Sequence, residues 1–229
     1  MANAIVVTVM SATKKNKKFK LTKKDLIVFL YIGGFVLVQT IVFSIGKLFA
    51  NNATVVSTSF DKKIPFIPFF IFFYCSWYVL ILLVPYLVYR HDRDTLIKHF
   101  SISLIGSITT LIIFIVFPTC IVRDSVEVTS ISTYIIDKMY MVDNPTCCLP
   151  SLHCVQCFYL IISVLNVNMR KSSKAVVIIL SLLIVLSTLF VKQHAILDVA
   201  AALVLTLACY VLVYKFKFNP AKKITKYLP

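Results

Sequence analysis

Apolar residues in this chain gather into runs of about 20 that are apolar on every side, with neither a single helical stripe nor strict alternation. Six segments stand out, at residues 26–48, 64–89, 96–117, 152–168, 174–191 and 195–216. About 20 helical residues cross the roughly 30 Å of hydrocarbon in a bilayer, and a helix apolar all round faces lipid or other helices. A transmembrane barrel would show dyad alternation over about ten residues, which stretches such as VVIILSLLIVL lack. Within hydrocarbon the backbone must then satisfy itself as helix. The pattern predicts an all-α polytopic membrane protein with six transmembrane helices. Pro65 and Pro68 fit the start of the second helix, where a missing N–H costs little, and Pro85 predicts a kink within it.

Composition sharpens this picture. Of 229 residues, 59% are hydrophobic and 14% charged, against about 45–50% and 25% in soluble domains, which excludes a water-soluble globular protein. The chain has only 4 Gly and 8 Pro and no repeat of fixed period, so one compact helical unit is expected at 26–217, between basic tails at 1–25 and 218–229. Eighteen of the 24 basic residues fall on one side of the expected spans, including Lys14 to Lys24, Arg90, Arg93, Lys98, Arg170, Lys171, Lys174 and Lys215 to Lys226. Lys47, Lys62, Lys63, Arg123, Lys138 and Lys192 fall on the other. That bias predicts both termini in the cytoplasm of a cell (plasma) membrane protein. The apolar AIVVTVM precedes the first lysines and is too short for a signal sequence. The net charge of +15 lacks the interleaved aromatic groove of a nucleic-acid binder, and its lysines read as topology determinants and contacts to anionic lipid. Richness in Ile, Lys and Phe hints at an AT-rich bacterial genome.

The remaining polar residues collect on the expected outer side. The loop at 118–151 is long enough to carry function or its own helix, with 126–140 the candidate helix. It holds Arg123 and ends in Pro150-Ser151-Leu152-His153; the next outer turn holds Lys192, Gln193 and His194, and Asp198 follows inside an apolar helix. An acid there is costly unless paired. Positions i and i+4 share a helix face, so Asp198 can accept an N–H from His194 and leave the other ring nitrogen free, which is the orienting half of a nucleophile or base. A bland interfacial pair would have the same spacing. A second histidine, an arginine and a lysine on the same face are what an anionic, phosphate-sized substrate needs.

These residues resemble a known family. PSLH at 150–153 and His194-x3-Asp198 are similar to the second and third motifs of the type 2 phosphatidic acid phosphatase superfamily, membrane branch, usually PSGH and SR-x5-H-x3-D. Ser187-Thr188 keeps the third motif's spacing. DKKIPFIPFF at 61–70, FPTCIVR at 117–123 and CCLPSLH at 147–153 look like the subgroup of small lipid phosphatases and inositol phosphorylceramide synthases. The resemblance implies that His194 is a nucleophile forming a phosphohistidine, that Asp198 orients it and that His153 protonates the leaving oxygen. Ser151, Arg123 and Lys192 would bind phosphoryl oxygens of a lipid phosphate on the outer face. No cofactor or metal is implied. The same resemblance allows headgroup transfer to another lipid hydroxyl, and the residues alone allow a non-catalytic lipid-binding or transport protein.

The first motif, K-x6-RP in the family, survives only as Arg123: Val116 stands at the Lys place, Asp124 at the Pro place, and Thr188 replaces the third motif's Arg. Of the seven cysteines, Cys147, Cys148, Cys154 and Cys157 crowd His153 without the paired knuckles of a structural zinc site. Cys120 is placed to meet Cys147 or Cys148 if the compartment is oxidising. Lys62 and Lys63, in FDKKIPF, are candidates for the substrate mouth.

Overall fold

A computed structural model describes residues 22–229. The amino-terminal lysines up to Lys20 and the AIVVTVM patch lie outside the described residues, as does most of the 1–25 tail.

Helix α1 (Lys23–Leu48) opens on Thr22, whose side chain accepts the Asp25 N–H while Asp25 returns to the Thr22 N–H, a capping box. Asp25 also accepts the Tyr86 hydroxyl at 2.8 Å. After a five-residue helix α2 (Ser59–Lys63), a 3-10 turn at Pro68–Phe70 leads into α3 (Ile71–His91). The helical run begins later than the apolar pattern because Pro65 and Pro68 cannot donate to a preceding turn. Asp92 caps α4 (Arg93–Val116) by accepting the N–H of Asp94 and Thr95. The long loop carries α5 (Ile131–Val142), started by the Ser130 side chain. That cap sets the start five residues past the expected 126.

Ser151 caps α6 (Leu152–Leu165), followed by α7 (Lys171–Phe190) and α8 (Ile196–Tyr210), which continues as a π-helical turn at Val211–Lys215. A last short helix, α9 (Ala221–Ile224), folds back on α4. Two short strands, β1 (Thr54–Val55) and β2 (Thr119–Cys120), pair in parallel and tie the first loop to the third.

Among the described residues, 5 helices are long and apolar enough to cross a membrane: α1, α3 with its 3-10 turn, α4, α7, and α8 with its π turn. The fold is that of an all-α membrane protein. The remaining apolar segment, α6, has 14 residues, or about 21 Å at 1.5 Å per residue. It is shorter than the expected 152–168 because Asn166 closes it. Helix α6 packs on α3, α4, α7 and α8, and Cys154, Cys157, Tyr159, Leu160 and Val164 on it are fully buried. Its place is the centre of the bundle. Gly106 of α4 lets that centre close, because a β-carbon there would collide with the Tyr159 hydroxyl.

Candidate active site

The end of the bundle where α6 and α8 begin and α7 ends is fastened through backbone groups. The Ser151 N–H donates to the Asp198 carbonyl at 3.2 Å, and the Thr188 carbonyl accepts from both Gln193 and His194 N–H at 2.9 and 3.1 Å. The turn between α7 and α8 passes through Lys192 at φ 54, a left-handed conformation uncommon for a residue with a β-carbon. Such strain persists only where surroundings enforce it, and four hydrogen bonds do so here. Tyr140 donates to the Val191 carbonyl at 2.7 Å, and the Lys192 ammonium donates to the Asp61 and Ile64 carbonyls at 3.0 and 2.5 Å. The Gln193 amide oxygen accepts from Arg123 at 2.6 Å.

His194 and Asp198 meet, although His194 lies in the turn before the Ala195 cap of α8 and not on the helix face that the i, i+4 spacing assumes. The His194 Nδ1 lies 3.2 Å from Asp198 Oδ2, with the carboxylate fully buried and the imidazole 11% exposed. The same oxygen accepts the Ala195 N–H at 2.8 Å, so Asp198 both caps the start of α8 and fixes the ring. With Nδ1–H donating to the carboxylate, Nε2 keeps its lone pair. The other carboxylate oxygen, Oδ1, is buried without a partner.

His153 sits between aromatic rings, 4.5 Å from Tyr74 and 4.4 Å from Trp77, and its centroid is 6.1 Å from that of His194. Its Nε2 is buried and unpartnered, as is the neighbouring Trp77 Nε1. A buried polar atom without a partner costs free energy, which a ligand atom arriving between the two imidazoles would relieve.

Arg123 lies 3.9 Å over the Tyr140 ring and donates to Gln193 and to the carbonyls of Tyr140 and Asp143. Three of the five guanidinium N–H groups are thus engaged, leaving two for an anion. Burial lowers its pKa from the ordinary value against the opposing charges of Tyr140 and Asp143, and burial also pushes the Tyr140 phenol up to about 12. Arg123, Lys192 and His194 line one cleft of about 710 Å³, together with Lys62, Pro65, Phe66 and Leu189. Ser151 is fully buried behind it, its hydroxyl accepting the Cys154 N–H at 3.3 Å.

The structure therefore gathers all six candidates at one end, with different freedom. His194 and Arg123 reach the cleft with bonding capacity left; the Lys192 ammonium is spent largely on carbonyls. Burial lowers the pKa of Lys192, opposed by the charges of Asp61 and Asp124. Lys62 lines the cleft, whereas Lys63 lies over the Phe60 ring at 5.4 Å. Val116 is 77% exposed at the end of α4, and Thr188 is buried with its hydroxyl on the Val185 carbonyl. All seven cysteines are free. Cys148, His194 and Asp198 offer ligand atoms within 4.8 Å of one another, the one group of this kind among the described residues.

Asp61, which the sequence marks only as the first residue of the DKKIPFIPFF segment, fastens the start of α8. Its Oδ1 accepts the Ile196 N–H at 2.7 Å, and its Oδ2 accepts the Thr58 N–H and hydroxyl, both at 2.7 Å. Thr58 three residues before Asp61 is a capping-box spacing, which signals a helix start but not the second helix it pins. Burial pushes the Asp61 carboxyl up; the bonds from Thr58 and Ile196 and the Lys192 charge outweigh this and hold it below its ordinary value.

Neither the curated proteins nor the solved structures contain a match to the chain. The family model described as the PAP2 superfamily matches residues 47–212, a span that encloses every residue of the cleft and both histidines, and the chain belongs to that superfamily.

Proposed function

We propose that the chain is an integral membrane lipid phosphatase that hydrolyses a phosphate monoester or diphosphate through a phosphohistidine, with the site on the outer face of the plasma membrane. The observation that carries this is the pair of imidazoles 6.1 Å apart, one fixed by a buried carboxylate and the other with an unpartnered buried nitrogen. In the first step His194 Nε2 attacks phosphorus, the bond to the lipid oxygen breaks, and His153 gives that oxygen a proton. In the second, His153 takes a proton from water, whose oxygen displaces the imidazole and releases inorganic phosphate. Asp198 stabilises the positive charge that His194 acquires. Phosphoryl transfer asks mainly for alignment and charge stabilisation, and Arg123, with Ser151 and Lys192 beside it, supplies both.

The walls of the cleft support a lipid substrate. Pro65, Phe66, Val122, Val126 and Leu189 face the same space as Arg123 and His194, so an acyl or isoprenoid chain has apolar surface next to the cations. The test is phosphate release from a panel of lipid phosphates by the purified protein in detergent with EDTA, wild type beside His194→Ala. Release by the wild type alone supports the assignment, and equal release by both removes His194 from it. Product formed only when an alcohol acceptor is added would make the chain a headgroup transferase.

A further inference from the structure

We propose that Cys148, His194 and Asp198 form a trap for a thiophilic divalent cation of the Zn²⁺ type, and that its occupancy silences the site. The three ligand atoms lie within 4.8 Å of one another. Metal–ligand distances of about 2.3 Å for sulfur and about 2.0–2.2 Å for nitrogen and oxygen put tetrahedral ligand atoms roughly 3.3–3.7 Å apart, so closure asks for about an ångström of movement.

A second observation points to a cation independently. Asp198 is fully buried and its Oδ1 has no hydrogen-bond partner, while Oδ2 is already shared by His194 and Ala195. A buried carboxylate oxygen without a donor is expensive, and a cation beside it removes that cost. The donor set is one sulfur, one imidazole and one carboxylate, which suits zinc and disfavours magnesium or calcium. The fourth position is left for water or a phosphoryl oxygen.

Cys148 is 2% exposed and packed with Val56, Ile121 and Ala195. Its segment is held on both sides: the Cys147 and Leu149 N–H groups donate to Thr119, each at 2.9 Å, and the Ser151 N–H reaches the Asp198 carbonyl. No step of the proposed chemistry uses this thiol. On binding, the thiol loses one proton to solvent, and the metal takes a lone pair from the His194 ring. If that nitrogen is Nε2, the nucleophile is blocked. If it is Nδ1, the ring proton moves from Nδ1 to Nε2, so the ring loses its hydrogen bond to Asp198 and Nε2 no longer has a free lone pair.

The silencing half rests on the reading of His194 as nucleophile; the binding half does not, and the experiment separates them. Chelator-stripped protein in detergent is titrated with Co²⁺ while thiolate-to-cobalt absorption is followed, and phosphate release is titrated with Zn²⁺ for wild type, Cys148→Ala, Cys148→Ser and Cys147→Ala. The expected result is one cobalt per chain with a thiolate band in wild type and Cys147→Ala and no band in either Cys148 variant. Cys148→Ala should keep its uninhibited rate and need at least about tenfold more Zn²⁺ for half inhibition, as expected when a ligand is lost. A band that survives in the Cys148 variants, or wild-type protein that binds no cobalt, overturns the site. Full activity with the band present overturns the silencing. If no lipid phosphate is hydrolysed by any variant, the proposed function fails while the cobalt band still decides the trap.

Discussion

At the end of the bundle where α8 terminates, Arg93 donates twice to the Leu228 carbonyl, at 3.1 and 2.9 Å, and Ser101 donates to Asn219 while accepting the Ala221 N–H at 3.0 Å. Close by, His99 Nδ1 lies 2.9 Å from Ser163 Oγ, whose own proton goes to the Tyr159 carbonyl, so these groups find partners within the bundle, although the Tyr214 hydroxyl at this end does not. At the other end, the same residue types, arginine, serine and histidine, are held as firmly, yet His153 Nε2, Gln193 Nε2 and Asp198 Oδ1 are buried without one. Hydrogen bonds that close on themselves fasten chain to chain, whereas unpartnered atoms beside a cleft keep capacity for a ligand. A buried histidine is therefore a weak pointer to function until its second nitrogen has been followed.

The two histidines give the largest expected contrast. His153→Asn should lower phosphate release by about 10²–10⁴-fold, the usual contribution of a general acid. The loss should shrink for an aryl phosphate whose leaving group needs no proton. His99→Asn should leave the rate within about twofold and instead cost about 1–3 kcal/mol of stability, the penalty for an orphaned partner. Steady-state rates on alkyl and aryl phosphates, with thermal unfolding alongside, check both. A His153→Asn deficit equal on both substrates would remove the general acid.

The arginines come next. Arg123→Lys keeps a charge and loses the planar fork that holds Gln193 and two carbonyls at once, and a fall of about tenfold or more in kcat/KM is expected. Arg93→Lys, whose fork holds only the Leu228 carbonyl, should change kcat/KM by less than about twofold. Equal effects would mean that Arg123 serves the site only as a point charge.

Much of the contrast was legible in the chain. The apolar runs place most helix ends to within a few residues, with α3 starting seven residues late at Ile71, and the nearness of His194 to Asp198 in the chain foretells their contact even though His194 precedes the helix. What escaped depends on partners far along the sequence. Asp61 meets Ile196 from 135 residues away, and the Lys192 ammonium is absorbed by two carbonyls that no side-chain pattern announces. The basic segment at 218–229 reads as a free tail, yet Ala221, Thr225 and Leu228 are buried against the bundle, because Ser101 and Arg93 of α4 supply bonds that composition does not encode. Helix α6 reads as a span by hydropathy, and only its length and burial mark it as the central post.

Two acids near the cleft predict opposite pH slopes. The Asp61 carboxyl is held below its ordinary value, so its stabilisation is complete above about pH 4 and is lost as the pH falls through the folded-state value. Asp143 is the reverse: burial raises its pKa against the charges of His194, Lys47 and Arg123, so it withdraws stability as the pH climbs from about 4 through the raised value. Melting temperatures between about pH 3 and 7 should therefore show a flatter acid limb in Asp61→Asn. In Asp143→Asn the loss of stability on the alkaline side of that window should disappear. Identical profiles for the two variants would mean that neither carboxyl is coupled to folding.

The smallest effect on activity is expected at the far end. Ser101→Ala leaves the Ala221 N–H and the Asn219 side chain without the hydroxyl they share, which should lower stability by about 1–3 kcal/mol. Phosphate release at a temperature where the variant is folded should stay within about twofold, because α9 packs on α4 and the hydroxyl lies on the first turns of α4, far along the helix from Val116 at its site-side end. Thermal unfolding and initial rates on the same detergent sample decide the matter. A drop in rate comparable to that of Arg123→Lys would show that docking of the 218–229 segment reaches the cleft through α4 and α8, and the two ends would then have to be treated as one coupled system.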